Sequence, residues 1–130
     1  MAITCLLIED DRDDQEIFLL ALQKIDGQIE CRLANNGVEG LAAFEDHSFL
    51  PDYIFVDINM PKMNGIECLN ALRRIDRLNG SRIIMCSTSM DAALTIECKA
   101  AGADDVLMKP PSFRQLTDSL QTILNSVQLQ

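Results

Sequence analysis

Four consecutive apolar residues, Tyr53, Ile54, Phe55 and Val56, stand between two carboxylates, Asp52 and Asp57. Aromatic and β-branched side chains dominate the run, so it predicts a buried β-strand. Pro61, Asn64 and Gly65 break the pattern and mark a turn before the next element. A central strand therefore ends on Asp57 and opens into a loop. Open α/β sheets bind ligands beyond the carboxyl ends of their strands. Asp57 is accordingly the first candidate for a reactive group.

The rest of the chain builds a sheet around that strand. Residues 3–8 (ITCLLI) read as a buried strand followed by the acidic stretch Glu9 to Asp14. A helix begins near Asp13, with Ile17, Leu20, Ala21 and Ile25 at helical spacing and Phe18 and Leu22 widening the stripe. Gly27 is a plausible stop. Residues 29–34 alternate apolar and polar, as a half-buried strand does, and Asn35, Asn36 and Gly37 make a turn. A helix from Val38 to about Asp46 carries Leu41, Ala42 and Phe44. After Gly65, the stripe Ile66, Leu69, Leu72, Ile75 predicts another helix, ending near Asn79 and Gly80. Residues 83–86 (IIMC) form a fourth strand and Asp91 to Ala101 a helix ending at Gly102. Val106 to Met108 is a short fifth strand. Ser112 is a reasonable N-cap for a last helix with Phe113, Leu116, Leu120, Ile123, Leu124 and Val127 on its apolar side. This β-α alternation, five times over, implies an α/β fold with a parallel sheet covered on both faces.

Composition limits what such a sheet serves. At 130 residues the chain is expected to be one domain spanning residues 1–130. Its 20 acidic residues against 11 basic ones leave a net charge of -9. That balance argues against phosphate-backbone contacts with nucleic acid and against anionic membrane surfaces. Neither a signal peptide nor an apolar stretch of membrane-spanning length is evident. Cys5, Cys31, Cys68, Cys86 and Cys98 have no C-x-x-C pairing and read as reduced thiols of a cytoplasmic protein, most of them packed in the core. Aromatic residues are only 5% of the chain, so aliphatic side chains and the six Met are expected to fill the core.

The strand ends converge chemically. Glu9, Asp10 and Asp11 follow the first strand, Asp57 ends the third, Ser87 follows the fourth and Lys109 the fifth. A parallel sheet puts all of these on one edge. Adjacent carboxylates repel unless a cation lies between them, and an oxygen-rich set suits Mg²⁺. A carboxylate can attack a phosphoryl group and form an acyl phosphate. A metal and a lysine ammonium then neutralise charge on the transferred group.

With these residues in place, the chain resembles the receiver domains of two-component response regulators. The resemblance rests on Glu9-Asp10, on Asp57 followed by Met60-Pro61 and Gly65, on Ser87 and on Lys109-Pro110, and so covers essentially the whole chain. It implies a flavodoxin-like three-layer sandwich with a five-stranded parallel sheet in the order 2-1-3-4-5. It implies a stand-alone phosphoacceptor switch rather than an enzyme. Asp57 would accept a phosphoryl group from a sensor histidine kinase or a histidine phosphotransfer protein. Mg²⁺ would be held by Asp10 and Asp57, by Glu9 mainly through water, and by the backbone carbonyl of Asn59. Lys109 would pair with the carboxylate or the phosphate, and Ser87 would swing towards the phosphate. The Lys109–Pro110 peptide would be cis. Output would be contact with an unidentified downstream protein, by a monomer or weak dimer, without nucleic acid or membrane. In many receivers an aromatic residue stands three positions before the lysine, where this chain has Val106. Asn59 and Ser89 occupy positions that influence acyl-phosphate hydrolysis in the family.

Plainer readings are kept for several residues. Asp13 and Asp14 read as a solvated helix N-terminus, and Asp11 as either that or a minor contributor to the site. Thr88 competes with Ser87 for the hydroxyl role, with Ser87 preferred from its offset after the strand. His47 reads as surface. Alternative functions are a phosphatase with an aspartate nucleophile, a receiver-like binding module that is never phosphorylated, and a nucleotide-binding flavodoxin-like protein. The first usually carries a D-x-D pair, which Asp57-Ile58-Asn59 lacks. The last would want a Gly-rich loop after the first strand.

Overall fold

The structure, a computed structural model, describes the backbone of residues 2–60 and 63–128 and side chains as far as Asn125 at the C-terminal end. Pro61 and the Val127 side chain, to which the sequence assigns roles, lie outside the described residues. Five strands alternate with five α-helices: β1 (Thr4–Ile8), α1 (Arg12–Ile25), β2 (Glu30–Ala34), α2 (Gly37–Ala42), β3 (Tyr53–Asp57), α3 (Gly65–Arg73), β4 (Arg82–Ser87), α4 (Ala92–Ala100), β5 (Asp105–Met108) and α5 (Phe113–Gln128). All four strand pairings are parallel, and the order is β2-β1-β3-β4-β5. The apolar run that ends on Asp57 is the middle strand, buried at every position.

Strand period two divides the core in two. On one face Leu7, Phe55, Ile84 and Leu107 pack with Phe18, Ala21 and Leu22 of α1 and with Leu116, Leu120 and Leu124 of α5. On the other, Leu6, Ile8, Ile54, Val56, Ile83 and Met85 pack with Phe44, Leu69, Leu72 and Cys98. Each fully buried aliphatic side chain contributes about 1.5–3 kcal/mol of transfer free energy. These two cores make the sheet a rigid base for whatever projects from its edge. The buried thiols belong to them: burial pushes Cys68 and Cys86 up to about 12, far from thiolate chemistry at neutral pH. All five cysteines are free.

Several local expectations are corrected. In α1 the buried stripe is Gln15, Phe18, Ala21 and Leu22, while Ile17 and Leu20 are 44% and 61% exposed. Two apolar stripes lie one residue apart on this helix, and the sheet takes the one in phase with Gln15. The helix expected to reach Asp46 stops at Ala42 and tightens into a 3₁₀ turn, Ala43–Glu45. Ile75 lies beyond α3, before a second 3₁₀ segment, Asp76–Gly80. Of the described methionines only Met60 and Met85 are among the buried core residues, and Met108 is exposed. Phe113 opens α5 but remains 38% exposed, with the Lys24 ammonium 5.7 Å from its ring centroid. The Lys109–Pro110 peptide is trans, the isomer a prolyl peptide favours by about 0.5–1 kcal/mol.

One glycine fixes how the site loop returns. A Cβ on Gly65 would stand 2.5 Å from the Ile58 Cα and 2.7 Å from the Asp57 carbonyl oxygen. Its N–H donates to the Ile58 carbonyl at 2.8 Å. The start of α3 therefore closes directly onto the end of β3, and only glycine leaves room for it.

Candidate functional site

Asp57 stands at the carboxyl end of β3, 7% exposed. Beside it, β1 ends at Ile8 and the chain turns through Glu9 and Asp10 into α1. The turn is well held. The Glu9 N–H donates to the Ala34 carbonyl at 3.0 Å. The Gln15 Nε2 group donates to the Glu9 carbonyl at 2.6 Å and to Asn35 Oδ1 at 2.9 Å. Asp11 is the N-cap of α1, its Oδ1 accepting the Asp14 N–H at 3.0 Å, which satisfies one orphan donor of the first turn. So Asp11 belongs to the helix start, while Glu9 is turned inward and is 3% exposed.

The carboxylates of Glu9, Asp10 and Asp57 each place an oxygen within 4.8 Å of the others. Opposite them is Lys109, which follows the last residue of β5 and whose N–H donates to the Ser87 carbonyl at 2.8 Å. Its Nζ lies 2.5 Å from Glu9 Oε1, 3.4 Å from Asp14 Oδ2 and 3.6 Å from Asp57 Oδ1. The closest partner is thus Glu9, to which the resemblance gives a metal role mainly through water.

Titration follows from this crowding. Burial pushes the Glu9 carboxyl up to about 7, with the Asp57 charge adding to the shift and the Lys109 hydrogen bond opposing it. Burial works against the charge of Lys109, but the hydrogen bond to Glu9 and the charges of Asp57 and Asp14 outweigh it and hold the ammonium above its ordinary range. The Lys109 shift shows that the ammonium faces more carboxylates than one cation balances, so the pocket draws protons or cations.

The hydroxyl side is built from β4. Ser87 is buried at 1% exposure, whereas Thr88 is exposed. The Ser87 Oγ donates to the Ser89 carbonyl at 3.0 Å and accepts the Asn59 side-chain amide at 3.4 Å. The Asn59 N–H donates to Asp57 Oδ1 at 3.4 Å. Val106 is half-buried and pairs in register with Met85.

Of the residues singled out in the sequence, Glu9, Asp10, Asp57 and Lys109 share this pocket, with Ser87 linked to it through Asn59. Asp13 is exposed, and so is His47. Asp14 is not merely solvated, because its carboxylate faces Lys109. Gln15 and Asn35 carry site contacts that the sequence reading passes over. The signal for Gln15 was a polar residue in line with Phe18 and Leu22, at the spacing of a buried helical face.

An oxygen-only ligand set of this span suits a hard cation. Mg²⁺ takes oxygen ligands at about 2.0–2.1 Å and needs only one or two protein carboxylates. The three carboxylates and their unbalanced charge fit that requirement. Among the described residues no helix is long and apolar enough to cross a membrane.

The family model of the response regulator receiver domain matches residues 5–121. The chemotaxis protein CheY of Bacillus subtilis is 31% identical over 120 residues, spanning 92% of this chain and 97% of that protein. The protein-glutamate methylesterase/protein-glutamine glutaminase 3 of Rhodospirillum rubrum is 39% identical over 110 residues, 83% of this chain but only 28% of that longer protein. Among solved structures, the chemotaxis response regulator CheY4 of Vibrio cholerae superposes with a TM-score of 0.82 at 29% identity, covering 95% of this chain and 99% of that one.

Proposed function

The chain belongs to the response regulator receiver domain family of two-component signalling, and from that premise we propose that Asp57 is its phosphoacceptor. The observation that carries the reading is the Asp57 carboxylate at the end of the central strand, 3.6 Å from the Lys109 ammonium and within 4.8 Å of two further carboxylates. The donor is the phosphohistidine of a sensor kinase or phosphotransfer protein, the partners that receiver domains engage. An Asp57 oxygen bonds to phosphorus as the P–N bond breaks, and the departing imidazole keeps the electron pair and takes up a proton. The role of the chain is to hold this carboxylate in line and to balance charge around it.

Lys109 supplies the positive charge for the phosphoryl oxygens. The Ser87 hydroxyl is within one side chain of the same place and can turn from Ser89 to the transferred group. Asp10 and Asp57 would hold Mg²⁺ directly, with Glu9 acting through water and the Asn59 carbonyl completing the protein ligands. When bound, the cation neutralises the carboxylates and the charge gathered on the phosphoryl oxygens. The phosphorylated form signals by binding a downstream protein, as a switch rather than a catalyst of turnover.

The test uses the purified protein, Mg²⁺ and acetyl phosphate, with intact-mass measurement. The expected result is one acid-labile phosphoryl group on the wild type and none on Asp57→Ala. No addition to the wild type, or equal addition to both, overturns the reading.

A further inference from the structure

We propose that Asp14 is a positioning residue of the phosphoryl-transfer site: a carboxylate on the first turn of α1 that competes with the incoming phosphoryl group for the Lys109 ammonium and so slows the loading of Asp57. The inference rests on the reading of Asp57 as the phosphoacceptor.

The geometry comes from the three partners of Lys109. An ammonium has three donors and no acceptor. Here it meets Glu9 Oε1 at 2.5 Å, Asp14 Oδ2 at 3.4 Å and Asp57 Oδ1 at 3.6 Å. A phosphoryl group on Asp57 needs the donors that point to its oxygens. Asp14 takes one of those donors at the solvent side of the pocket, its side chain 46% exposed against 9% for that of Asp57. The backbone from which Asp14 projects is fixed. Its N–H is held by the Asp11 cap at 3.0 Å. The next residue, Gln15, is anchored by its bonds to the Glu9 carbonyl and Asn35. The first turn of α1 therefore grips both members of the Glu9–Lys109 pair, Glu9 through Gln15 and Lys109 through Asp14. An exposed aspartate whose only task was to favour a helix N-terminus would not need to face the lysine.

The test compares initial rates of Asp57 phosphorylation by acetyl phosphate in saturating Mg²⁺. In that step an Asp57 oxygen bonds to phosphorus and the P–O bond to acetate breaks. Acetate leaves with the electron pair, no proton is exchanged and Lys109 stays an ammonium. Asp14→Asn is expected to react about two- to three-fold faster than wild type, the size a half-exposed ion pair supports. Asp14→Glu, which keeps the charge, stays near the wild-type rate. Asp13→Asn carries the same charge change on an exposed neighbour and also stays there. Calorimetry of Mg²⁺ binding should find Asp14→Asn no tighter than wild type, so that the faster rate is not a metal effect. Equal rates for wild type and Asp14→Asn overturn this inference alone, as does an equal acceleration in Asp13→Asn. A wild type that takes no label at all overturns the phosphoacceptor reading and this inference with it.

Discussion

The two edges of the sheet carry opposite kinds of ion cluster. At the carboxyl edge one ammonium, Lys109, faces Glu9, Asp14 and Asp57. At the amino edge one guanidinium, Arg73 at the end of α3, faces acceptors that match its fork. Its Nε donates to the Gly102 carbonyl at 2.8 Å and its Nη1 to the Leu78 and Ser81 carbonyls at 3.3 and 3.4 Å. Its Nη2 pairs with Asp104 Oδ2 at 2.6 Å, and that oxygen also accepts the Ile83 N–H at 2.8 Å. Gly102, at φ 110°, lets the chain pass close to Arg73: a Cβ there would meet the Arg73 Cγ at 2.9 Å. Donors and acceptors are matched within this Arg73 cluster. At the other edge they are not, and the scaffold holds like charges together. A balanced cluster fixes the chain, whereas an unbalanced one is a place where a ligand can lower the free energy.

The largest effect should therefore come from the edge with no ligand chemistry. Arg73→Ala leaves three carbonyls and Asp104 without their cation and is expected to cost about 3 kcal/mol of stability. Arg73→Lys recovers only part of that, because one ammonium cannot span a fork of acceptors. Urea denaturation measures both. A loss below about 1 kcal/mol for the alanine variant would mean that the amino edge is held by packing alone and that the contrast between the edges is wrong.

At the carboxyl edge the buried Glu9 has a pH signature. The Glu9 carboxyl sits near 7 in the fold against its ordinary 4.5. Between those values the folded protein holds a proton that the unfolded chain has released. The contribution of Glu9 is thus most favourable below pH 4.5 and is lost as pH rises towards 7. Glu9→Gln cannot titrate. In chelator, the variant should gain on the wild type across that window by on the order of 3 kcal/mol, since each tenfold difference in proton affinity between the folded and unfolded states is worth about 1.4 kcal/mol. A difference between the two proteins that stays flat with pH would show that burial does not raise the Glu9 carboxyl.

How far the sequence could be read depends on which force sets each feature. Strand ends were legible because Tyr53–Val56 and the IIMC run of β4 are short, buried outright and bounded by turn residues on both sides. Glu9, Asp10, Asp57 and Lys109 were legible as a group because parallel strands align their carboxyl ends. The phase of α1 was not. Ile17 and Leu20 are as apolar as Phe18 and Leu22, and the stripe that packs on the sheet is the one in line with Gln15, whose hydrogen bonds reach groups on other elements. Asp14 was misjudged for the same reason, since its value depends on that phase. The Arg73 cluster gave no sign in advance. Three of its four acceptors are backbone carbonyls, at residues 78, 81 and 102, which leave no mark in the side-chain pattern.

The smallest effect gives the sharpest comparison, because it applies one chemical change to both edges. Asp52 lies at the amino edge, where its Oδ2 accepts the Thr4 N–H at 2.9 Å and the Thr4 hydroxyl at 3.3 Å. Asp10 lies at the carboxyl edge among Glu9 and Asp57. Asp52→Asn replaces a charge-assisted acceptor by a neutral one and should lower stability by about 0.5 kcal/mol. Asp10→Asn removes a repelling charge and should raise metal-free stability by about 0.5–1 kcal/mol. Saturating Mg²⁺ should then reverse the ranking at one edge only. A ligand that binds the folded state alone stabilises it, so the wild type and Asp52→Asn gain together while Asp10→Asn gains little. Losses of the same sign at both edges, or equal gains from Mg²⁺ in all three proteins, would remove the electrostatic distinction between them.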